Sequence, residues 1–162
     1  MTWGRILTLG SAAALWLAWA GPTRAQEARI GGLQDVNFGT IPSIADQSNS
    51  QNVVVCSYRN RPTTLPYSVL ASGSGSGGAF WLPAGAGILP FDVQWADSPD
   101  ETGGTMLQAG VPASGFGNAA NGFTCPGQPD TASLTITIRA TDLASAQSGN
   151  YSGSLQITIA PE

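Results

Sequence analysis

The chain has 162 residues, a length typical of one domain, and its ten carboxylates outnumber six arginines for a net charge of −4. This composition excludes the clustered basic surface that binds nucleic acid. The sequence has no histidine and no lysine, and no two acids are placed as a catalytic pair. We therefore expect no enzyme activity and no cofactor. Low charge with 21 glycines is typical of an extracellular β-protein.

The first 25 residues are typical of a secretion signal. Arg5 lies in a short basic start, an apolar run covers residues 6–20, and residues 23–25 (Thr-Arg-Ala) form a small-x-small cleavage site. The apolar run is shorter than the roughly 20 residues of a membrane span. We expect an exported protein with a signal peptide at 1–25, a single domain at 26–162 and no membrane span after cleavage.

Alternating apolar residues predict seven or eight short strands and no convincing helix after the signal. A short arm at 26–32 precedes them. The predicted strands lie near residues 33–41, 51–58, 65–69, 88–96, 105–109, 132–140 and 151–160. Their spacing predicts an all-β Greek-key sandwich.

Two patterns between the predicted strands could each indicate either a ligand site or an ordinary connection between strands. Residues 72–78 are glycine-rich but lack the ending of a phosphate-binding loop, so they predict a hairpin connection. Asp97, Asp100 and Glu101 could form a calcium loop or an acid–base pair, but their spacing matches no known calcium loop. A solvated turn without a metal is the expectation.

Cys56 and Cys125 are the two cysteines of the chain. An even number of cysteines behind an export signal predicts one disulfide in an oxidising compartment. A catalytic thiol would need a base such as histidine, and a zinc site would need further ligands.

The last predicted strand has the clearest alternation in the chain. Tyr151, Leu155, Ile157 and Ile159 share one face, and polar residues occupy the other. Because this last predicted strand faces the core, it needs a partner strand either inside its own sheet or from another protein.

Five short motifs resemble the spore coat U domain family, the subunits of archaic chaperone–usher pili. They lie at residues 36–39 (Val-Asn-Phe-Gly), 53–56 (Val-Val-Val-Cys), 67–69 (Tyr-Ser-Val) with the glycines of 73–78, 89–91 (Leu-Pro-Phe), and 149–155 (Gly-Asn-Tyr-Ser-Gly-Ser-Leu). The resemblance covers most of the chain after the signal. It implies an immunoglobulin-like sandwich that is incomplete because its last strand is missing.

In that family a periplasmic chaperone and then a neighbouring subunit, at the usher, fill the groove beside the last strand by strand addition. The resemblance implies that Tyr151, Leu155, Ile157 and Ile159 form the acceptor-groove strand. Ile30 and Leu33 would be the apolar positions of a donor arm. The protein would pass through the periplasm to a pilus on the cell surface, with a structural or adhesive role.

Two other functions remain open at this point. A self-complete secreted module could bind carbohydrate with Phe80, Trp81, Phe116 or Phe123 as stacking platforms. A cell-envelope structural protein would exchange no strand. Pairing of residues 33–41 with the final strand would favour the binding module.

Overall fold

The computed structural model describes residues 26–41, 47–60, 66–122, 125, 127 and 129–162. The predicted secretion signal lies outside these residues. The described part is all-β apart from one α-helix, α1 (Ala140–Ser145), and a 3-10 turn at Ser76–Gly78. None of its helices is long and apolar enough to cross a membrane.

The strands are short and follow one another with brief connections. In chain order they are β1 (Ala28–Gly31), β2 (Asn49–Arg59), β3 (Tyr67–Gly73), β4 (Trp81–Ala84), β5 (Gly87–Pro90), β6 (Asp92–Ala96), β7 (Thr105–Met106), β8 (Ala113–Phe116), β9 (Ala120–Asn121), β10 (Ala132–Ile138) and β11 (Leu155–Pro161).

Two sheets make the sandwich. The larger has the order β1-β2-β10-β6-β7, with β9 parallel to the end of β2, and the smaller has the order β11-β3-β8. The hairpin β4–β5 forms a separate pair. Because β10 lies between two strands that are distant in sequence, the order is interleaved as in Greek-key sandwiches. The predicted fold class is confirmed.

The core lies between the two sheets. Trp95 and Leu134 of the larger sheet belong to the same buried cluster as Tyr67, Val69 and Ile157 of the smaller one. The ring of Tyr67 meets that of Trp95 edge-on, with centroids 6.5 Å apart. These residues occupy alternate positions of their strands, which is the pattern that predicted the strands.

The disulfide joins Cys56 in β2 to Cys125, with Cα atoms 5.9 Å apart. This confirms the predicted bridge. Gly31, opposite Cys56 in the register of β1 and β2, lies directly against the bridge. A Cβ at Gly31 would stand 3.0 Å from Sγ of Cys125, so this position requires a residue without a side chain.

The prediction of a strand at 33–41 is wrong. The first strand is β1, inside the predicted arm, and residues 33–41 have no strand structure. Val36, Phe38 and Ile41 are half-buried against the core. The apolar residues therefore indicated burial correctly but not backbone pairing. Gly32, directly after β1, has a positive φ, and the chain leaves the sheet there.

Other boundaries also differ from the predictions. The strand predicted at 88–96 is divided at Phe91 into β5 and β6, because its first half pairs with β4 and its second half with β10. The helix α1 lies between the last two predicted strands, where the sequence predicted no helix. Between residues 109 and 132, where no strand was predicted, the chain forms β8 and β9.

Candidate functional site

The last strand, β11, pairs on one edge only. It runs antiparallel to β3, from Leu155 opposite Gly73 to Pro161 opposite Tyr67. On its other side the nearest strand is β1, with Cα atoms within 8 Å, but the two strands are not paired. Among the described residues, β11 therefore has a free edge beside β1.

The free edge presents the backbone of every second residue. The N–H of Glu162 donates to the carbonyl of Pro66 in line with β3. Because backbone groups alternate between the two edges of an antiparallel strand, the even-numbered residues of β11 face β3. The outward N–H donors are then those of Leu155, Ile157 and Ile159, and Pro161 has none.

The same three odd-numbered residues direct their side chains to the core. Ile157 is 9% and Ile159 8% exposed, and Leu155 is half-buried. The described residues do not form an open groove with exposed apolar side chains, because the sandwich already covers Ile157 and Ile159. The free feature of β11 is its backbone edge.

Tyr151 lies outside β11, which begins four residues later. Its hydroxyl donates to the carbonyl of Gln147 at 2.9 Å, and Ser152 N–H donates to Pro83 in β4. A Cβ at Gly87 in β5 would stand 3.0 Å from the Tyr151 hydroxyl. Tyr151 therefore lies in the segment that leads into β11, and this segment packs against the β4–β5 hairpin.

The two residues of the predicted donor arm have different environments. Ile30 lies in β1 opposite Ser57 and packs against the core of its own chain. Leu33 follows the strand and is 46% exposed. The start of β1 is fastened by Asn60, whose N–H donates to the Glu27 carbonyl and whose Oδ1 accepts from the Glu27 N–H.

A buried polar network, which no local pattern signals, lies where the loop after β6 meets the loop after β8. The Tyr67 hydroxyl donates to Asp97 and accepts from the Trp95 indole. The other oxygen of Asp97 accepts from the N–H groups of Gly117 and Asn118. Burial raises the pKa of Tyr67 above its usual value.

This network gives the acidic turn a structural role. Asp97 is occupied by three donors from its own chain, while Asp100 and Glu101 are exposed. Among the described residues, no three cysteines or acids come together as metal ligands.

Most of the aromatic residues suggested as stacking platforms for carbohydrate pack against other residues of the chain. Phe80 stacks on Phe91 with centroids 5.7 Å apart, and Phe116 is 6% exposed. The half-buried Trp81 indole lies so close to Gly75 that a side chain there would collide with it. Phe123 lies outside the described residues.

Comparison with known proteins relates the chain to solved structures only, since no family model and no curated protein matches it. It is similar to a chain of the chaperone–tip adhesin complex of CFA/I fimbriae, with a TM-score of 0.56, 16% identity and coverage of 83% of this chain. A second likeness is to a chain of the CsuC–CsuE chaperone–tip adhesion subunit pre-assembly complex from archaic chaperone-usher Csu pili of Acinetobacter baumannii, with a TM-score of 0.43, 20% identity and 83% coverage.

The chain spans 41% of the first of these structures and 39% of the second. At such identities the first likeness concerns the fold alone, and the second TM-score is too low for a common fold.

Proposed function

We propose that this protein is an exported pilus subunit whose strand β11 accepts a strand from another protein during chaperone–usher assembly. The observation that carries the proposal is the free edge of β11, with outward N–H groups at Leu155, Ile157 and Ile159. The partners would be a periplasmic chaperone, an usher and a neighbouring subunit. The fold likeness to a chain of a chaperone–tip adhesin complex supports this assignment.

Hydrogen bonds along the edge would provide much of the binding energy. Each outward residue offers one donor and one acceptor, and a net backbone hydrogen bond stabilises by about 0.5–1.5 kcal/mol. About six such bonds contribute roughly 3–9 kcal/mol before the cost of ordering the incoming strand. The apolar contribution of an added strand is small, because Ile157 and Ile159 are already covered.

The chain accepts a strand more readily than it donates one. Ile30, the first apolar residue of the predicted donor arm, already pairs and packs within its own fold. Donation would require β1 to leave β2 and to expose the core beneath it. This supports a terminal position in the filament, where a subunit only accepts.

Amide hydrogen exchange of residues 26–162, measured by NMR, tests the free edge directly. In the chain alone, we expect the amides of Leu155, Ile157 and Ile159 to exchange on the order of 100-fold faster than those of Gln156, Thr158 and Ala160. Adding a synthetic peptide as long as β11 that alternates Val and Thr should slow the fast set and leave the slow set unchanged.

The central strand β10, which is paired on both edges, is the internal control and should show uniform protection. Uniform protection of β11 in the chain alone would contradict the proposal, since its edge would then already be occupied. A peptide that leaves the fast set unchanged would also contradict it.

A self-complete secreted binding module is the second candidate, and one observation favours it. Ile157 and Ile159 are buried without any added strand, as expected of a finished core. Expression of residues 26–162 in an oxidising periplasm without a chaperone separates the two. A soluble monomer with a sharp thermal transition well above about 50 °C favours the module. A product that is degraded or strand-swapped, and rescued by the Val/Thr peptide, favours the pilus subunit.

A further inference from the structure

Arg59, the last residue of β2, is a buried cation. It is 5% exposed and lies on the same inward face as Val55 and Ser57. Its Nη2 donates to the carbonyl of Gly117 at 2.8 Å. That carbonyl is neutral, so this contact leaves the charge of Arg59 uncompensated.

Two further nitrogens of Arg59, Nε and Nη1, are fully buried and have no acceptor among the described residues. The amide nitrogen of Gln26 is buried in the same unpaired state. Arg59 lies opposite Ala28 in the pairing of β1 and β2, and Asn60 N–H donates to the Glu27 carbonyl in the same register. Continued by one residue, this register puts Gln26 on the face of Arg59, at a diagonal position. One end of the β1–β2 pair thus carries several buried donors.

Asp97 bonds to Gly117, which Arg59 also contacts, and Glu27 bonds to Asn60, the neighbour of Arg59, but both carboxylates are engaged elsewhere. Both oxygens of Asp97 hold Tyr67 and the loop N–H groups, and Glu27 pairs with Arg29. No ion pair of Arg59 occurs within the described parts of the chain. A guanidinium removed from water requires an anion with matching oxygens, because its desolvation is otherwise uncompensated.

We propose that Arg59 and Gln26 form a binding site for a carboxylate. Guanidinium and amide N–H groups are all donors, and a carboxylate is purely an acceptor with the geometry of the guanidinium fork. The ligand is either a free small carboxylate or an acidic side chain on the strand that adds beside β11. The second source rests on the proposed function, whereas the site itself does not.

The position of the site agrees with a ligand that arrives on a strand. Ser57, two residues before Arg59 on the same face, contacts the hydroxyl of Tyr67 at 3.4 Å. Tyr67 in turn lies opposite Pro161 in β11. Arg59 therefore lies at the same end of the sandwich as Pro161, where a strand added beside β11 would begin or end.

Thermal unfolding in sodium acetate tests the site. Acetate replaces chloride at constant ionic strength and pH 7, so that only the anion changes. Because a ligand that binds the folded state stabilises it by mass action, the wild-type midpoint should rise steadily with acetate concentration. Arg59→Met should remove this rise, and Arg139→Met, which changes an exposed arginine paired with Asp92, should retain it.

A wild-type midpoint that does not respond to acetate would overturn the proposal, and so would an equal response in Arg59→Met. If Arg59→Met does not fold, Gln26→Leu decides in its place. That variant removes one donor and keeps the charge, so its midpoint should rise with acetate by less than half as much as the wild type. An unchanged rise in Gln26→Leu would also overturn the site.

Peptides distinguish the two sources of the carboxylate. The Val/Thr peptide is made with Glu at one end or at the other, and each version has a Gln control. A ligand carried on the strand predicts that one Glu peptide binds the wild type at least tenfold more tightly than its Gln control, and that Arg59→Met abolishes the difference. If acetate stabilises the protein but the Glu and Gln peptides bind equally, the ligand is a free carboxylate. If no peptide binds, the strand-acceptor function fails, and the acetate result still decides the site.

Discussion

The hydroxyl of Tyr67 donates a hydrogen bond of 2.8 Å to Oδ1 of Asp97, across 30 residues of sequence. The bond joins the smaller sheet to the loop that follows β6 in the larger one. Asp97 then holds the N–H groups of Gly117 and Asn118, which follow β8. A single carboxylate thereby fastens both sheets at this end of the sandwich.

Tyr67→Phe should lower the free energy of unfolding by about 1–3 kcal/mol, because it leaves an oxygen of the half-buried Asp97 and the buried Trp95 indole without this partner. Urea denaturation followed by circular dichroism measures the change. Tyr151→Phe is the matched control, since its exposed hydroxyl bond should contribute less than about 0.5 kcal/mol. Equal effects of the two substitutions would show that the Tyr67 network contributes no special stability.

Stability should fall as the pH rises above about 10, the usual pKa of tyrosine in an unfolded chain. Burial raises the pKa of Tyr67 in the folded protein, so the unfolded state loses this proton first. The folded state then holds more protons than the unfolded one, and unfolding becomes more favourable with increasing pH. Urea midpoints between pH 8 and pH 11 should fall more steeply for the wild type than for Tyr67→Phe. Parallel curves for the two proteins would refute this assignment.

Gly31→Ala should destabilise the protein by about 1–3 kcal/mol, because its methyl group would overpack the site against the Cys125 sulfur. Gly117→Ala is the control, since its Cβ would meet no atom closer than 4.0 Å. Thermal unfolding of both variants gives the comparison. If the order of the two were reversed, β1 would not lie against the disulfide as described.

Replacing both cysteines, Cys56→Ser with Cys125→Ser, should lower the free energy of unfolding by about 4 kcal/mol in the loop-entropy model, since the bridge spans 69 residues. A reducing agent should reproduce the loss in the wild type and have no effect on the double variant. Urea denaturation is the measurement. A reduced wild type as stable as the oxidised one would mean that the bridge adds nothing to the fold.

The sequence predicted the strands that bury one face and pair along their whole length. Residues 132–140 and 151–160 alternate strongly, residues 51–58 contain the apolar run 53–56, and β2, β10 and β11 overlap these ranges. The cysteine count, together with the export signal, predicted the bridge. By contrast, β1 has four residues, one of them glycine, and its pairing depends on β2 rather than on its own pattern.

The family resemblance implied an open edge beside the last strand, but nothing in the sequence predicted that its side chains would be covered. Ile157 and Ile159 are buried by residues from both sheets, and such distant contacts leave no local trace. The Tyr67–Asp97 bond and the unpaired nitrogens of Arg59 escaped prediction for the same reason. Local alternation indicates which face is buried, and only the folded chain shows which polar atoms lack a partner.

The proline that closes β11 also affects self-association. An unpaired strand is a template on which copies of a protein can stack without limit. Here the template offers three outward donors and stops at Pro161, and exposed Gln156 and Thr158 make its outer face polar. Two copies that met edge to edge would gain only a short ladder with no apolar cover. This edge therefore favours self-association less than a longer edge with apolar cover would.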